Sequence, residues 1–230
     1  MSNWQILVDF DGTVAIDDTT DLILERFGRP GWQAIEARWQ AGEIGSRECM
    51  ARQVALIDAS DTELDAYVAG LPIDPHFSRF AEMCEQLALP LTVLSDGLDR
   101  VVRAALRRNG LGHLKVVTNQ LIYLGARRWS IAFPAAAPGC RSASGTCKCA
   151  AAAVNAEPMS LLIGDGRSDQ CAAQDVDFVF AKKSLLAFCQ AQAIPHQDFE
   201  TFADVAFLLH ALVGGVPARA MIESREAAHA

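Results

Sequence analysis

The stretch Asp9-Phe10-Asp11-Gly12-Thr13 decides how this chain folds, and the apolar run Ile6-Leu7-Val8 stands directly before it. A short apolar run that ends in polar residues and a glycine is typical of a buried strand followed by a turn. If the chain stays extended through the motif, a period of two places Asp9 and Asp11 on the same side, and Gly12 lets the backbone turn away. The sequence therefore predicts two carboxylates that face one small volume.

Two carboxylates at the end of a buried strand need a cation or water, because burial of an unpaired charge is costly. Mg²⁺ fits such a position, since it prefers oxygen ligands and is usually held by one or two carboxylates together with phosphate oxygens. The alternative interpretation is a plain turn, in which Asp9 and Asp11 supply only turn chemistry. The rest of the chain bears on this choice.

Composition sets the broad class of protein. The chain has 230 residues, of which 51% are hydrophobic, so it can bury a full core and carry one domain with a substantial insertion. Its net charge of −8 argues against a nucleic-acid partner, which would require a basic face. No signal-peptide pattern or membrane-spanning apolar run is found, and seven cysteines without an export signal favour reduced thiols. We expect a soluble cytoplasmic protein, a monomer or a homodimer, without a membrane partner.

Residues 17–75 have the pattern of four short helices inserted between the first two strands. Apolar residues recur at spacings of three and four, and Ser60 followed by Glu63 resembles a capping box that opens the fourth helix. We therefore predict two domains. Residues 1–16 and 76–230 would form the core, and residues 17–75 would form a helical-bundle cap.

After the insertion, predicted strands alternate with predicted helices. Apolar strands are expected at 90–94, 159–163 and 178–180, with a small hairpin between Leu114 and Phe133. This alternation predicts an α/β fold with a doubly wound, Rossmann-like parallel sheet. In such a sheet the ligand crevice lies outside the carboxyl ends of the strands.

Three of the predicted strand ends carry polar groups suited to phosphate. The first carries the two aspartates, the second ends in Ser95-Asp96-Gly97, and the third ends in a turn that contains Asp165. Lys148 stands at the start of a predicted helical run, 149–155, between the second and third strands. Phosphoryl transfer requires positive charge around anionic oxygens, which Mg²⁺, a lysine and backbone N–H groups supply. A carboxylate can act as the nucleophile.

Structural alternatives stay open for three of these features. Lys148 can be a solvated residue of a first helical turn, although a cation is unfavourable there without an anion. Ser95 can cap the helix that follows it. Cys140, Cys147 and Cys149 can suggest zinc, although a structural zinc site usually has four ligands with clearer pairing.

Four motifs, DFDGT, LSDG, the lysine and GDGRSD, occur in an order and at separations that resemble the haloacid-dehalogenase-like phosphatase superfamily. The resemblance implies that Asp9 is the nucleophile. It implies that Asp11 is the general acid and base, which first protonates the leaving oxygen and then activates water. Ser95-Asp96-Gly97 and Lys148 would bind the phosphoryl group.

The same resemblance implies a magnesium site. Its ligands would be the carboxylate of Asp9, the backbone carbonyl of Asp11 and the carboxylate of Asp165. Asp169 would orient the site from outside the ligand set, with Ser168 beside it in the fourth motif, where the superfamily commonly has an asparagine. These assignments follow from the resemblance and not from spacing.

Within the superfamily, the chain resembles the phosphoserine-phosphatase-like subgroup, whose helical insertion acts as a cap. It is more similar to the bacterial 2-hydroxy-3-keto-5-methylthiopentenyl-1-phosphate phosphatases of methionine salvage, over about residues 6–203. This likeness includes the segment CRSASGTCKC and the segment PHQDF at 195–199. Phosphoserine phosphatases usually have a glutamate at the position of Asp18 and a carboxylate-binding arginine at the position of Gln53.

The resemblance thus implies Mg²⁺-dependent hydrolysis of a small-metabolite phosphomonoester through an aspartyl phosphate. The alternatives are a phosphoserine phosphatase, a phosphatase with a phosphocholine-like substrate, a phosphomutase, a dehalogenase and a binding module on a degenerate site. Asp11 and Asp165 argue against a dehalogenase, which needs neither a second acid nor a metal. The complete motif set argues against the binding module.

Overall fold

The computed structural model describes residues 4–153 and 158–214, and a seven-stranded sheet forms the centre of this part of the chain. The strands are β1 (Trp4–Asp9), β2 (Leu91–Leu98), β3 (Lys115–Gly125), β4 (Arg128–Ala132), β5 (Met159–Gly164), β6 (Phe178–Ala181) and β7 (His196–Asp198). Their spatial order is β4-β3-β2-β1-β5-β6-β7, and every pair is parallel except β3 with β4. The predicted α/β class with a doubly wound parallel sheet is confirmed.

Ten α-helices accompany the sheet in the described ranges. They are α1 (Thr19–Phe27), α2 (Trp32–Gln40), α3 (Ser46–Val54), α4 (Asp61–Val68), α5 (Phe77–Gln86), α6 (Asp99–Arg108), α7 (Lys148–Ala153), α8 (Gln170–Ala173), α9 (Lys183–Ala191) and α10 (Phe202–Val213). The last two residues predicted for α7, 154 and 155, lie outside the described residues. No helix in the described ranges has the length and apolar character needed to cross a bilayer.

Strand β1 lies at the middle of the sheet because all six of its residues are buried and both of its edges are paired. Val8 pairs with Val93 of β2 on one side and with Ile163 of β5 on the other. The carboxyl ends of these three parallel strands therefore meet at one edge of the sheet. The topology brings the three polar motifs together at this edge, because Asp9 ends β1, Ser95-Asp96-Gly97 lies in the last part of β2, and Asp165 follows β5.

The chain turns sharply where β1 ends. In the segment Phe10–Val14, Gly12 has a φ of 70°, in the left-handed region that glycine adopts without steric cost. The N–H of Ala15 closes the turn by donating to the carbonyl oxygen of Phe10 over 2.8 Å. A residue with a Cβ at position 12 would collide with the carboxylate of Asp165. The glycine thus allows β1 and β5 to present their acids side by side.

The first four helices, α1–α4, form the helical insert between β1 and β2, and polar contacts join it to the sheet domain. Arg100 of α6 bonds the carboxylates of Asp61 and Asp65 on α4 over 2.7 and 2.6 Å. The indole N–H of Trp129 on β4 donates to the carbonyl oxygen of Ala59 over 2.9 Å. The β3–β4 hairpin therefore supports the insert. The division of the chain into a core and a cap stays a prediction.

Two features of the fold were not expected from the sequence. The segment PHQDF contains the short edge strand β7, whose three residues pair with β6. Its polar composition, His196-Gln197-Asp198, hides the strand, because a short edge strand needs few apolar residues. The one-turn helix α8 directly follows the fourth motif and is too short to show a periodic apolar pattern.

Helices α5 and α10 cover one face of the sheet through three phenylalanines. The ring of Phe202 lies 4.8 Å from that of Phe77 and 5.1 Å from that of Phe80, between centroids, and all three side chains are fully buried. The N–H of Phe202 also donates to the carboxylate of Asp74 over 3.0 Å. Aromatic packing therefore fixes the last described helix against the start of α5.

We expect Phe202→Ala to lower the free energy of unfolding by about 3–5 kcal/mol, because truncation leaves a cavity among buried rings. The matched control is Phe207→Ala on the same helix, where the side chain is 48% exposed. That variant should change stability by less than about 0.5 kcal/mol. Urea unfolding of both variants measures the difference. Equal losses would contradict the packing of α10 described above.

Candidate active site

Lys148 is the centre of a buried cluster of charges. Its ammonium nitrogen lies 2.5 Å from Asp9 Oδ1, 2.6 Å from Asp169 Oδ1 and 3.2 Å from Ser168 Oγ. The side chain is only 1% exposed although it begins helix α7. The alternative of a solvated lysine is therefore wrong. The lysine is held between the end of β1 and the loop that follows β5.

Burial and charge oppose each other in this cluster. Burial lowers the pKa of Lys148, but the carboxylates of Asp169 and Asp9 outweigh this effect, so its pKa is raised and the ammonium is retained. Burial is also the main cause that raises the pKa of Asp9 well above its ordinary value. The charges of Asp169 and Asp165 act in the same direction, and Lys148 opposes them only in part. The positive charge around Asp9 is therefore too small to compensate fully for its ionised carboxylate.

Asp11 is oriented by hydrogen bonds from two elements. Its Oδ1 accepts the hydroxyl of Thr19 and, over 3.0 Å, the N–H of the same residue at the start of α1. Its Oδ2 accepts the hydroxyl of Ser95 over 3.2 Å, and Ser95 Oγ accepts the N–H of Gly97 over 2.9 Å. Burial raises the pKa of Asp11, and the bonds from Thr19 oppose this rise. Ser95 thus faces Asp11 and does not cap α6, whose N-cap, Leu98, receives no side-chain bond.

Asp165 completes the group of acids at the sheet edge. Its Oδ1 accepts the hydroxyl of Thr13 over 3.4 Å, and its Oδ2 lies 3.0 Å from the ammonium of Lys183. Lys183 also donates to the carbonyl oxygen of Gly12 over 3.2 Å. It has a φ of 49°, which is unfavourable for a residue with a side chain. This backbone conformation directs the lysine toward the first motif.

Asp9, Asp165 and Asp169 each offer one carboxylate oxygen, and these three oxygens lie within 4.8 Å of one another. Asp169 is fully buried, and its Oδ2 accepts the N–H groups of Asp165 and Gly166, both over 3.2 Å. Three carboxylates face two ammonium groups, so the cluster keeps an excess of negative charge. Oxygen donors with such an excess fit Mg²⁺. Asp9 and Asp165 are the better candidates for direct ligands, because Asp169 is already engaged by backbone N–H groups and Lys148.

The hydrogen bonds of the Asp96 carboxylate indicate a role different from that of its neighbours in the second motif. It accepts the N–H of Thr146 over 2.8 Å, the side-chain amide of Asn119 over 3.2 Å and the hydroxyl of Ser46 in the insert. These bonds occupy the carboxylate, and its charge is unsuited to contact with phosphate. Any contact between Asp96 and a phosphoryl group would therefore come from the backbone.

The cysteines do not contribute to the group of acids that could hold a metal. All seven are free thiols, and no group with the spacing of metal ligands includes a cysteine among the residues that the structure describes. Cys140, Cys147 and Cys149 therefore form no such group.

Sequence reasoning missed two residues that hold the acids. Thr19 bonds Asp11, and Lys183 bonds Asp165. A signal for Lys183 was present, because it follows β6, a fourth strand whose carboxyl end reaches the same edge of the sheet. Thr19 carried only the weaker signal of a residue next to a helix N-cap, Asp18.

The acids open into a pocket of about 200 Å³ that lies between the sheet edge and the helical insert. Asp9, Asp11 and Asp165 line its floor, and residues of α1, α2 and α3 line its opposite side. The pocket thus combines clustered carboxylates, which need a cation, with a separate surface that can contact the remainder of a ligand.

Comparison with known proteins agrees with this arrangement. Residues 6–174 match the family of haloacid dehalogenase-like hydrolases, and the chain belongs to this family. A solved structure, the phospho-aspartyl intermediate analogue of a phosphoserine phosphatase, superposes with a TM-score of 0.65 at 16% identity, over 89% of this chain and 97% of that one. This likeness supports the fold.

Two curated relatives align along most of their length. The Pdp3-interacting factor 1 of Schizosaccharomyces pombe is 28% identical over 210 residues, which cover 87% of this chain and 92% of the relative. The 2-hydroxy-3-keto-5-methylthiopentenyl-1-phosphate phosphatase of Geobacillus thermodenitrificans has the same identity and coverage. The expected family and the expected class of phosphoric monoester hydrolase are thereby supported.

A pair of glycine variants tests whether the turn after β1 shapes the metal site. Gly12 and Gly110 both have positive φ values, 70° and 75°, so alanine strains the backbone at either position. Only at position 12 would the new Cβ displace the carboxylate of Asp165. We expect Gly12→Ala to lower Mg²⁺ affinity about 10–100-fold, as loss of support for a ligand commonly does. Titration calorimetry should show unchanged affinity in Gly110→Ala, and equal affinity in both variants would contradict this geometry.

Proposed function

We propose that this chain is a Mg²⁺-dependent phosphatase that hydrolyses a small-metabolite phosphomonoester through an aspartyl phosphate on Asp9. The observation that carries the proposal is the contact of Lys148 with Asp9 and Asp169 beside a second oriented acid, Asp11, at the floor of a pocket. Family membership and the named phosphatase among the relatives support it.

In the first step, a carboxylate oxygen of Asp9 attacks phosphorus, and the bond from phosphorus to the leaving oxygen breaks. Asp11 protonates the leaving oxygen, so the product alcohol departs without a full negative charge. The raised pKa of Asp11 favours the protonated form needed for this role. Thr19 holds one oxygen of Asp11 and Ser95 bonds the other, which fixes the direction of proton transfer.

In the second step, water hydrolyses the aspartyl phosphate. Asp11, now ionised, takes a proton from the water, and the water oxygen forms the new bond to phosphorus while the bond to Asp9 breaks. The hydrogen bonds from Thr19 and Ser95 stabilise the ionised form of Asp11 at this stage. Inorganic phosphate leaves, and both carboxylates return to their starting states.

Positive charge compensates the phosphoryl group during both steps. Lys148 would bind its oxygens, since the ammonium already lies 2.5 Å from the oxygen of the nucleophile. Asp9, Asp165 and the backbone carbonyl of Asp11 would hold Mg²⁺, with Asp169 as a support. The ion supplies charge neutralisation that allows an anionic nucleophile to approach an anionic phosphate.

The helical insert, residues 17–75, would act as a cap that determines the substrate. One candidate is the methylthiopentenyl phosphate named for the relatives, whose carbon chain bears hydroxyl, keto and methylthio groups and no carboxylate. Phosphoserine and phosphocholine-like esters are the competing candidates. We place the reaction in the cytoplasm, in agreement with seven free thiols.

Removal of divalent metal tests the cofactor. Exhaustive chelation should abolish phosphate release from p-nitrophenyl phosphate, because Asp9 then lacks the positive charge that its environment requires. Mg²⁺ should restore the activity. Measurements of phosphate release before and after metal readdition, with Ca²⁺ as a control ion of larger radius, give the result. Full activity in chelator would remove Mg²⁺ from the proposal.

The two catalytic acids should fail in different ways when replaced. Asp9→Asn removes the nucleophile but keeps its shape, so no phosphoenzyme should form. Asp11→Asn loses proton transfer, an effect worth about 10²–10⁴-fold with poor leaving groups. With a good leaving group, Asp11→Asn should still phosphorylate Asp9 and then hydrolyse the intermediate slowly.

Mass spectrometry of acid-quenched samples distinguishes these outcomes. Asp11→Asn should accumulate more phosphoenzyme than the wild type, with the added mass on the peptide that contains Asp9. Phosphate on Asp9→Asn, or an Asp11→Asn variant that is equally slow with every leaving group, would show that the roles are wrongly assigned.

A further inference from the structure

The pocket extends from the reactive acids toward the helical insert, and the insert side is rich in hydrogen-bond acceptors. Asp21 on α1 and Glu36 on α2 line this side, together with Thr20, Gln53 and the apolar residues Trp39 and Met50. A leaving group attached to a phosphate on Asp9 would lie against these residues. Their charges and hydrogen bonds therefore select the substrate.

Glu36 is held in place by neutral donors. The amide of Gln53 donates to Glu36 Oε2 over 3.0 Å, and the amide of Gln40 donates to Glu36 Oε1 over 3.2 Å. Gln53 is only 3% exposed, so its amide is fixed in this contact. Within residues 4–153 and 158–214, no cation forms a salt bridge with Glu36. Glu36 therefore lines the pocket without a cationic partner in these ranges.

Asp21 adds a second acid that lacks a cationic partner in the described ranges. Burial is the first cause that raises its pKa to about 6, and the charges of Glu36, Glu25 and Asp11 raise it further. Asp21 is therefore influenced both by Glu36 on the insert side and by Asp11 on the floor of the pocket. A group that donates hydrogen bonds would relieve this repulsion, and an anion would increase it.

Thr20 provides an independent sign of a ligand. Its side-chain oxygen is buried and has no hydrogen-bond partner among the residues that the structure describes, and the residue is only 5% exposed. It lines the same pocket. Buried hydroxyl groups are normally paired, because an unsatisfied group costs free energy. A hydroxyl or ammonium group of a ligand would satisfy it.

The cations that line the pocket are already engaged. Arg167 donates to the carbonyl oxygens of Trp39 and Gln40 over 3.1 and 2.7 Å, and its guanidinium stacks on the ring of Trp39. Lys183 is paired with Asp165. Neither forms a salt bridge with Asp21 or Glu36.

We propose that the leaving group of the substrate carries hydrogen-bond donors and no anionic group, and that Asp21 and Glu36 are the specificity-determining residues that exclude carboxylates. This inference rests on the proposed function. Hydroxyl and ammonium groups share the required chemistry, since both donate to carboxylates. A substrate carboxylate would approach two acids that form no salt bridge within residues 4–153 and 158–214.

Two matched pairs of esters test the exclusion. Phosphoethanolamine is phosphoserine without its carboxylate, and glycerol 3-phosphate is the counterpart of 3-phosphoglycerate with a hydroxymethyl group in place of the carboxylate. In each pair, kcat/KM should favour the ester without a carboxylate by about tenfold or more, which is the scale expected for one unscreened charge contact. Comparison of the two favoured esters shows whether ammonium or hydroxyl is preferred.

Charge-neutral variants should reduce this discrimination. Glu36→Gln and Asp21→Asn keep the shape of the side chains, so the ratio within each pair should fall toward one, through a lower KM for the ester with a carboxylate. Glu82→Gln is the matched control, because this acid is exposed on α5 and lies outside the pocket lining. It removes the same charge and should leave both ratios unchanged.

Binding provides a readout that does not need turnover. Titration calorimetry of the four esters with the magnesium-loaded Asp9→Asn protein, which forms no phosphoenzyme, should give the same order of affinities, and thermal unfolding verifies that the variants are folded. Tighter binding of the esters with a carboxylate would overturn the inference, and so would equal kcat/KM ratios in Glu36→Gln and wild type. In either case, hydrolysis of p-nitrophenyl phosphate would still support the phosphatase. Absence of hydrolysis with every ester would reject the phosphatase, and the binding order would then decide the inference separately.

Discussion

The site depends on one interaction, the burial of a lysine ammonium between two aspartate carboxylates. Lys148 is 139 residues from Asp9 and 21 residues from Asp169 along the chain, so their contacts join the first strand to the last motif. Removal of one partner from a buried ionic group typically costs about 3–5 kcal/mol, because the remaining charge is left uncompensated. The parallel sheet satisfies this constraint, since it brings β1, β5 and the start of α7 to one edge. The fold and the charge cluster therefore require each other.

The same cluster affects stability in two different pH ranges. The pKa of Lys148 is raised in the folded chain, so its contribution is fully present below the unfolded value of about 10.4 and is lost only as the pH rises through the folded pKa. The raised pKa values of Asp9 and Asp11 act in the same direction at lower pH, because the folded state loses stability as the pH rises from about 3.9 toward their folded pKa values. At neutral pH the acids thus oppose folding and the lysine supports it. A bound divalent cation would offset the remaining deficit.

A structural feature could be predicted from the sequence where neighbouring residues in the chain carry a pattern that indicates it. Short apolar runs precede Asp9, Ser95 and Asp165 in the sequence. The sheet and the meeting of the polar residues at its edge could therefore be predicted. The strand His196–Asp198 could not, because an edge strand buries little and shows no apolar pattern. The role of Lys183 could have been predicted, because this residue follows the carboxyl end of β6. The contact of Thr19 with Asp11 could not, because it depends on the position of α1 over the sheet. The buried state of Lys148 was also decided by tertiary structure, since its neighbours in sequence are not its partners.

The insert side of the pocket, which would select the substrate, is the least predictable part of the site for a related reason. Helical periodicity shows that Asp21, Glu36 and Gln53 lie on polar faces, but it does not show which polar face covers a pocket and which faces water. That choice is made by how α1, α2 and α3 cross over the sheet. One contact links the two sides, because the hydroxyl of Ser46 at the start of α3 donates to Asp96 of the second motif. The residues that would choose the substrate are therefore tied to the strand end that would bind its phosphate, so a change in the position of the insert must also alter the catalytic edge.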